Sequence, residues 1–126
     1  MTSVLNVDTI ADKAGTGPVG LTKQSAAKAW VNFNGTGTIA ARDSFNLSSL
    51  TDSGTGLYVV NHTASMVNDD YSVTSGGSRD DPENSRCFPQ NLYTFATGSY
   101  KIATHNDGST AADWTIITQN LQGDLA

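Results

Sequence analysis

The chain has 126 residues and a formal net charge of −5, from seven Lys and Arg against twelve Asp and Glu. That length supports one globular domain with a modest core. Cations so few and so scattered exclude a phosphate-backbone ligand, which needs clustered Lys and Arg, so no nucleic-acid partner is expected. No apolar run approaches the roughly 20 residues that span a bilayer. Met-Thr-Ser-Val-Leu-Asn-Val-Asp lacks the basic start and apolar run of a signal peptide, so synthesis in a cytoplasm without membrane insertion is expected.

Hydrophobic residues make up 37% and charged residues 15% of the chain. Thr, Ser, Asn and Gly fill the difference, a mixture that suits short strands joined by polar turns. With Cys87 the chain's single cysteine, an intrachain disulfide cannot form.

Residues 1–27 differ from the rest and read as an arm or linker. Leu5 and Val7 alternate with Asn6 and Asp8 as in an extended strand, although Val4, Val7 and Ala11 also share a helical face. The extended reading is preferred. Gly15-Thr16-Gly17-Pro18 then interrupts regular structure, and residues 22–28 offer one helical turn at most.

From residue 28 to 126 the pattern is β. Ala29, Val31 and Phe33 point one way and Lys28, Trp30 and Asn32 the other, with an indole on the nominally polar side. Asn34-Gly35-Thr36-Gly37 is a hairpin-type turn, since Asn-Gly tolerates positive φ. A short strand over 38–41 is punctuated by Arg42-Asp43. The next, over 44–51, places Phe45 and Leu47 on one face, with Leu50 out of phase in the manner of a bulge. After the turn Asp52-Ser53-Gly54-Thr55-Gly56, residues 57–63 form the strongest strand, Leu57 and Val59 opposed by Tyr58 and Val60.

A further strand is expected over 69–74, through Tyr71 and Val73. Residues 75–90 then break the rhythm as one long loop, a length that is usually functional. Strands follow over 92–95 and 99–104, the latter pairing Tyr100 with Ile102. Asn106-Asp107-Gly108 is a turn, Trp114 and Ile116 alternate against Thr115 and Ile117 over 114–119, and residues 121–126 read as a frayed end. Six to eight short strands without a convincing helix predict an all-β, antiparallel sandwich or jelly-roll-like domain.

Residues with chemical potential are sparse. His62 and His105 each sit in a strand beside an Asn, where a histidine is normally a packed or surface residue, and no spacing suits zinc. Cys87 has none of the surroundings of a hydrolase nucleophile. No nucleophile elbow or phosphate-cradling loop occurs. Asp80, Asp81 and Glu83, with Asp69 and Asp70 upstream, could serve as glycosidase carboxylates or hold calcium, whose hard cation takes loop oxygens. Arg79 and Arg86 flank them, however, and a solvated, internally paired loop is the preferred reading. No cofactor is expected. Sugar recognition is a sharper option, because aromatic faces stack on C–H groups while polar side chains meet hydroxyls. Trp30, Tyr58, Tyr71, Tyr93, Tyr100 and Trp114 are its candidates.

Lys-Ala-Trp-Val-Asn-Phe-Asn-Gly-Thr-Gly, then Arg-Asp-Ser-Phe-Asn, then Thr-Asp-Ser-Gly-Thr-Gly-Leu-Tyr-Val-Val-Asn, together spanning residues 28–61, resemble a module of tail fibres and other small virion proteins of tailed bacteriophages, often marine or cyanobacterial. The resemblance implies a non-enzymatic virion part made in the bacterial host cytoplasm, most simply a short tail fibre or fibre tip. It further implies an N-terminal arm, with Leu5, Val7 and Ile10 as docking residues, and contacts with other virion proteins of tail or capsid. Apolar residues on both faces of the strands suggest burial against further copies, and the resembled proteins imply a homotrimer. A capsid-decoration (head-fibre or cement) role and a host-glycan-binding module are the alternatives. For the last, the attachment surface would draw on Trp30, Tyr58, Tyr71, Asp80, Asp81, Glu83 and Arg86.

Overall fold

The computed structural model describes residues 26–79, 90–106 and 109–126. The arm residues Leu5, Val7 and Ile10, and the loop residues Asp80, Asp81, Glu83, Arg86 and Cys87, lie outside the described residues, as does most of the turn at 106–108.

Eight strands follow in order: β1 (Ala29–Asn34), β2 (Ala40–Phe45), β3 (Leu47–Gly54), β4 (Leu57–His62), β5 (Ser72–Ser78), β6 (Asn91–Ala96), β7 (Ser99–Ala103) and β8 (Ile116–Gln122). They form two four-stranded sheets, ordered β2-β1-β8-β5 and β3-β4-β7-β6. Every pairing is antiparallel. The chain is therefore all-β, as its alternation predicts, and its architecture is that of a two-sheet sandwich.

Alternation also settles the core. Val31 and Phe33 of β1 and Ile117 and Leu121 of β8 meet Tyr58 and Val60 of β4 and Tyr100 and Ile102 of β7. The rings of Phe33 and Tyr58 pack edge to face with centroids 5.4 Å apart, joining the two layers. Trp114, with 2% exposure, closes one end of this core.

The expected bulge near Leu50 is present. The β3–β4 register slips between Leu47 and Ser49, which brings both Leu47 and Leu50 onto the core side. Phe45 and Leu47, however, do not share a face. The chain turns at Asn46, whose φ is 57°, and passes from one sheet to the other. Asn46 holds this corner by donating from Nδ2 to the carbonyls of Lys28 (3.0 Å) and Ala64 (3.1 Å) and accepting the Ala64 N–H at Oδ1 (2.7 Å).

Four other expectations are corrected. Arg42 and Asp43 do not end a strand but lie within β2, an edge strand with one paired side and mostly exposed residues, where polar residues cost little. Ser75–Ser78, read as loop, belong to β5, because the glycines there face β8 too closely for side chains. A Cβ on Gly77 would stand 2.4 Å from the Ile116 carbonyl. In β8, Ile117, Gln119 and Leu121 face the core and Ile116 faces out, whereas Trp114, expected to share a face with Ile116, precedes the strand and is buried. Finally, residues 121–126 are not frayed. Leu121 is buried, Leu125 bridges to Met66, and the Val67 and Ala126 N–H groups donate to the carbonyls of Asp124 and Ser65 at 2.9 Å.

Candidate functional site: an uncharged groove on one sheet

Register places two rows of side chains across the outer face of the β2-β1-β8-β5 sheet. One runs Phe45, Trp30, Asn120, Thr74; the other runs Asp43, Asn32, Thr118, Gly76. Their strand neighbours Val31, Gln119 and Ser75 point the opposite way, into the sandwich, because side chains alternate along a strand. Over β1, β8 and β5 these rows border an open groove of about 510 Å³. Gly76 lowers its floor: a Cβ there would meet the Thr118 Oγ1 at 2.9 Å. Trp30, 36% exposed, forms the wall on the other side, and Phe45 beside it is 52% exposed.

The polar groups of the groove are held from behind and from the side. Beneath the floor, the Ser75 hydroxyl donates to Gln119 Oε1 (2.8 Å), Gln119 Nε2 donates to Gln90 Oε1 (2.6 Å), and Gln90 Nε2 donates to the Gly76 carbonyl (2.6 Å). Gln119 is almost wholly buried, so this chain satisfies an amide that would otherwise be costly there. At the side, Arg42 reaches from β2 to donate to Asn32 Oδ1 at 3.3 Å and to the Thr115 carbonyl. Gln122 Nε2 donates to Asn120 Oδ1 at 3.2 Å. With each carbonyl oxygen engaged, the Nδ2 groups of Asn32 and Asn120 are the donors left to the groove. Among the described residues no side chain lining it carries a charge.

Of the aromatic candidates, the structure brings only Trp30 to this face. Tyr58 and Tyr71 belong to the core, at 1% and 7% exposure, and neither ring is open to a ligand. Both are large rings that bury well and carry a hydroxyl needing a partner. The Tyr58 hydroxyl lies 2.9 Å from both the Gly35 carbonyl and Asp113 Oδ1, and burial followed by the neighbouring Asp113 pushes its pKa well up. The Tyr71 hydroxyl lies 2.9 Å from the Ala96 and Ser99 carbonyls. Tyr100 and Trp114 are likewise core residues, and Tyr93 is exposed on the other sheet.

His62 points into the sandwich between Tyr100 and Tyr71, with ring centroids 5.6 and 6.1 Å away. Neither of its ring nitrogens has a hydrogen-bond partner, and burial holds its pKa below the usual value. His105 accepts the Trp114 indole N–H at its backbone carbonyl, 3.2 Å, and pairs with Ala111. Among the described residues no three His, Cys, Asp or Glu side chains converge on a point where a metal could sit.

Asn32, Asn120, Thr74, Thr118 and Gly76 were not singled out by the sequence. Asn32 follows from the β1 alternation that exposes Trp30. The other four depend on β8 lying between β1 and β5, a pairing over long range that local pattern does not carry. Compared with protein-family models, curated proteins and solved structures, the chain gives no match to any of them.

Proposed function

We propose that the protein is a non-enzymatic structural component of a tailed-phage virion, a short tail fibre or fibre-tip module whose residues 1–27 dock to the particle. One observation supports this reading above the others. The stretch that resembles phage fibre modules, residues 28–61, supplies β1 to β4, two strands to each sheet. It is thus the framework of the sandwich and not an appendage to some other domain.

Three copies associate in this reading. The outward residues Leu57 and Val59 of β4 and the exposed Tyr93 of β6, with Lys101 of β7 between Val59 and Tyr93, give the β3-β4-β7-β6 sheet a partly apolar face for that contact. Burial against a closed ring of copies would add to a core of limited size. Light scattering on the full chain at micromolar concentration is expected to return three times the monomer mass; a stable monomer would remove the trimer. Imaging of intact particles with a label on this chain tests the rest. Label at the tail tip supports the fibre, regular label over the head moves the protein to capsid decoration, and particles free of label overturn both.

A further inference from the structure

We infer that the groove over β1, β8 and β5 is a binding site for a neutral saccharide, with Trp30 as its stacking platform. The site stands independently of the virion reading, since it rests on the chemistry of one sheet face.

Its lining narrows the ligand by class. Among the described residues no lining side chain is charged, and the guanidinium of Arg42 that borders the groove is engaged by Asn32 Oδ1 and the Thr115 carbonyl. Asp43, one strand away, turns its Oδ1 to its neighbour's backbone, accepting the Ser44 N–H at 2.8 Å, and together with the net charge of −5 it further disfavours anions. A purely apolar ligand would strand the amides of Asn32 and Asn120 and the hydroxyls of Thr74 and Thr118 against a surface that offers no hydrogen bonds. An extended peptide gains its affinity from a free sheet edge. Under this groove β1 and β8 are paired on both sides, and the one edge it borders is that of β5, two strands away from Trp30. A neutral sugar satisfies all of these conditions: its C–H face covers an indole, and its hydroxyls both donate and accept.

Geometry agrees with chemistry. The groove volume of about 510 Å³ suits one to two sugar rings, within the usual range for small-ligand sites. Trp30 and Asn120 are cross-strand neighbours, as are Asn32 and Thr118, so ring and amide donors stand side by side on a rigid floor. The buried Ser75–Gln119–Gln90 chain ties that floor together before any ligand arrives, which reduces the ordering cost of binding.

The test is a titration of the full, isotope-labelled chain with a panel of neutral monosaccharides and short oligosaccharides, followed by NMR. Expected are saturable shifts at the Trp30 indole N–H and the Asn32 and Asn120 side-chain amides for at least one sugar, with Trp114 unmoved. Trp30→Ala should weaken binding about tenfold, in line with the loss of one stacking contact. Thr74→Lys, at an exposed edge position, should block the groove while the spectrum stays folded, and Tyr93→Ala on the opposite sheet should change nothing. The proposal fails if no sugar shifts these signals at millimolar concentration, or if shifts persist in Thr74→Lys. It also fails if the same signals move with protein concentration alone, which would make this face a contact between copies.

Discussion

The Tyr58 hydroxyl and the Asp113 carboxylate lie 2.9 Å apart, tying the middle of one sheet to the segment that leads into β8 of the other. The same carboxylate oxygen accepts the Gly56 N–H at 2.6 Å, so one acid organises both a core tyrosine and a turn. Tyr58→Phe is expected to cost about 1–2 kcal/mol, the usual penalty for leaving buried acceptors unpaired. Asp113→Ala should cost more, because the Gly56 N–H loses its acceptor too. In urea unfolding the double variant should lose less than the sum of the two, whereas simple additivity would show that the pair is not coupled.

His62 makes stability depend on pH. Its folded pKa is lowered by burial, while in the unfolded chain it titrates near the ordinary histidine value of about 6.5. Above that pH both states hold a neutral ring and no stability is at stake. As pH falls through about 6.5, the unfolded chain takes up a proton that the folded one refuses, and stability declines until the lower folded pKa is reached, by at most about 1.4 kcal/mol per pH unit. Thermal melts between pH 7.5 and 5 should show this decline, and His62→Phe, which suits the Tyr71–Tyr100 surroundings, should flatten it. An unchanged slope in that variant would assign the effect to other groups.

Asn46 is expected to be the least replaceable polar residue of the β2–β3 corner. Asn46→Ala loses three side-chain hydrogen bonds and places alanine at a φ of 57°, for a cost of about 2–3 kcal/mol. Asn46→Gly keeps the backbone freedom and loses only the bonds, so it should fall between the alanine variant and the native chain. Chemical denaturation gives the order, and a glycine variant as weak as the alanine one would mean that backbone conformation plays no part.

Two glycines with almost the same backbone should respond very differently. Gly37 and Gly56 have φ values of 63° and 66°. A Cβ on Gly37 would meet nothing within 4 Å, whereas one on Gly56 would stand 2.4 Å from the Thr104 carbonyl and 2.8 Å from the Ala112 nitrogen. Gly37→Ala should cost about 1 kcal/mol of conformational strain. Gly56→Ala adds overpacking against backbone that cannot move aside, for about 3 kcal/mol or more in all. Equal losses in a melt would show that the turn at Gly56 relaxes freely.

How legible the molecule was depends on which interactions shape each part. Strands β1, β4 and β7 were readable because each carries two or more inward apolar residues at a spacing of two, such as Tyr100 and Ile102. The slip at β3 was readable for the same reason, since Leu47 and Leu50 cannot both face inward without it. What escaped was decided by partners far along the chain. Gly76 and Gly77 have no strand preference of their own and are extended because β8 pairs with them. Trp114 does not share a face with Ile116 because it lies before β8 and is not placed by that strand's alternation. The groove shows the same division: Trp30 announced itself as an indole on a polar face, but its neighbours Asn120 and Thr74 arrive only through the assembled sheet.

The pairing of β1 with β8 has a consequence for how the chain becomes this structure. Ala29 pairs with Leu121, so the central ladder of one sheet joins residues from opposite ends of the described chain. The hairpins β1–β2, β3–β4 and β6–β7 can close locally and quickly, while the β1–β8 ladder must wait for β8 to emerge. Contacts of such long range close slowly, because the intervening loop has to be ordered first. The completion of the β2-β1-β8-β5 sheet by β8 is therefore the late step of folding, and a ribosome-bound chain lacking residues 116–122 leaves β1 without its β8 partner until synthesis moves past them.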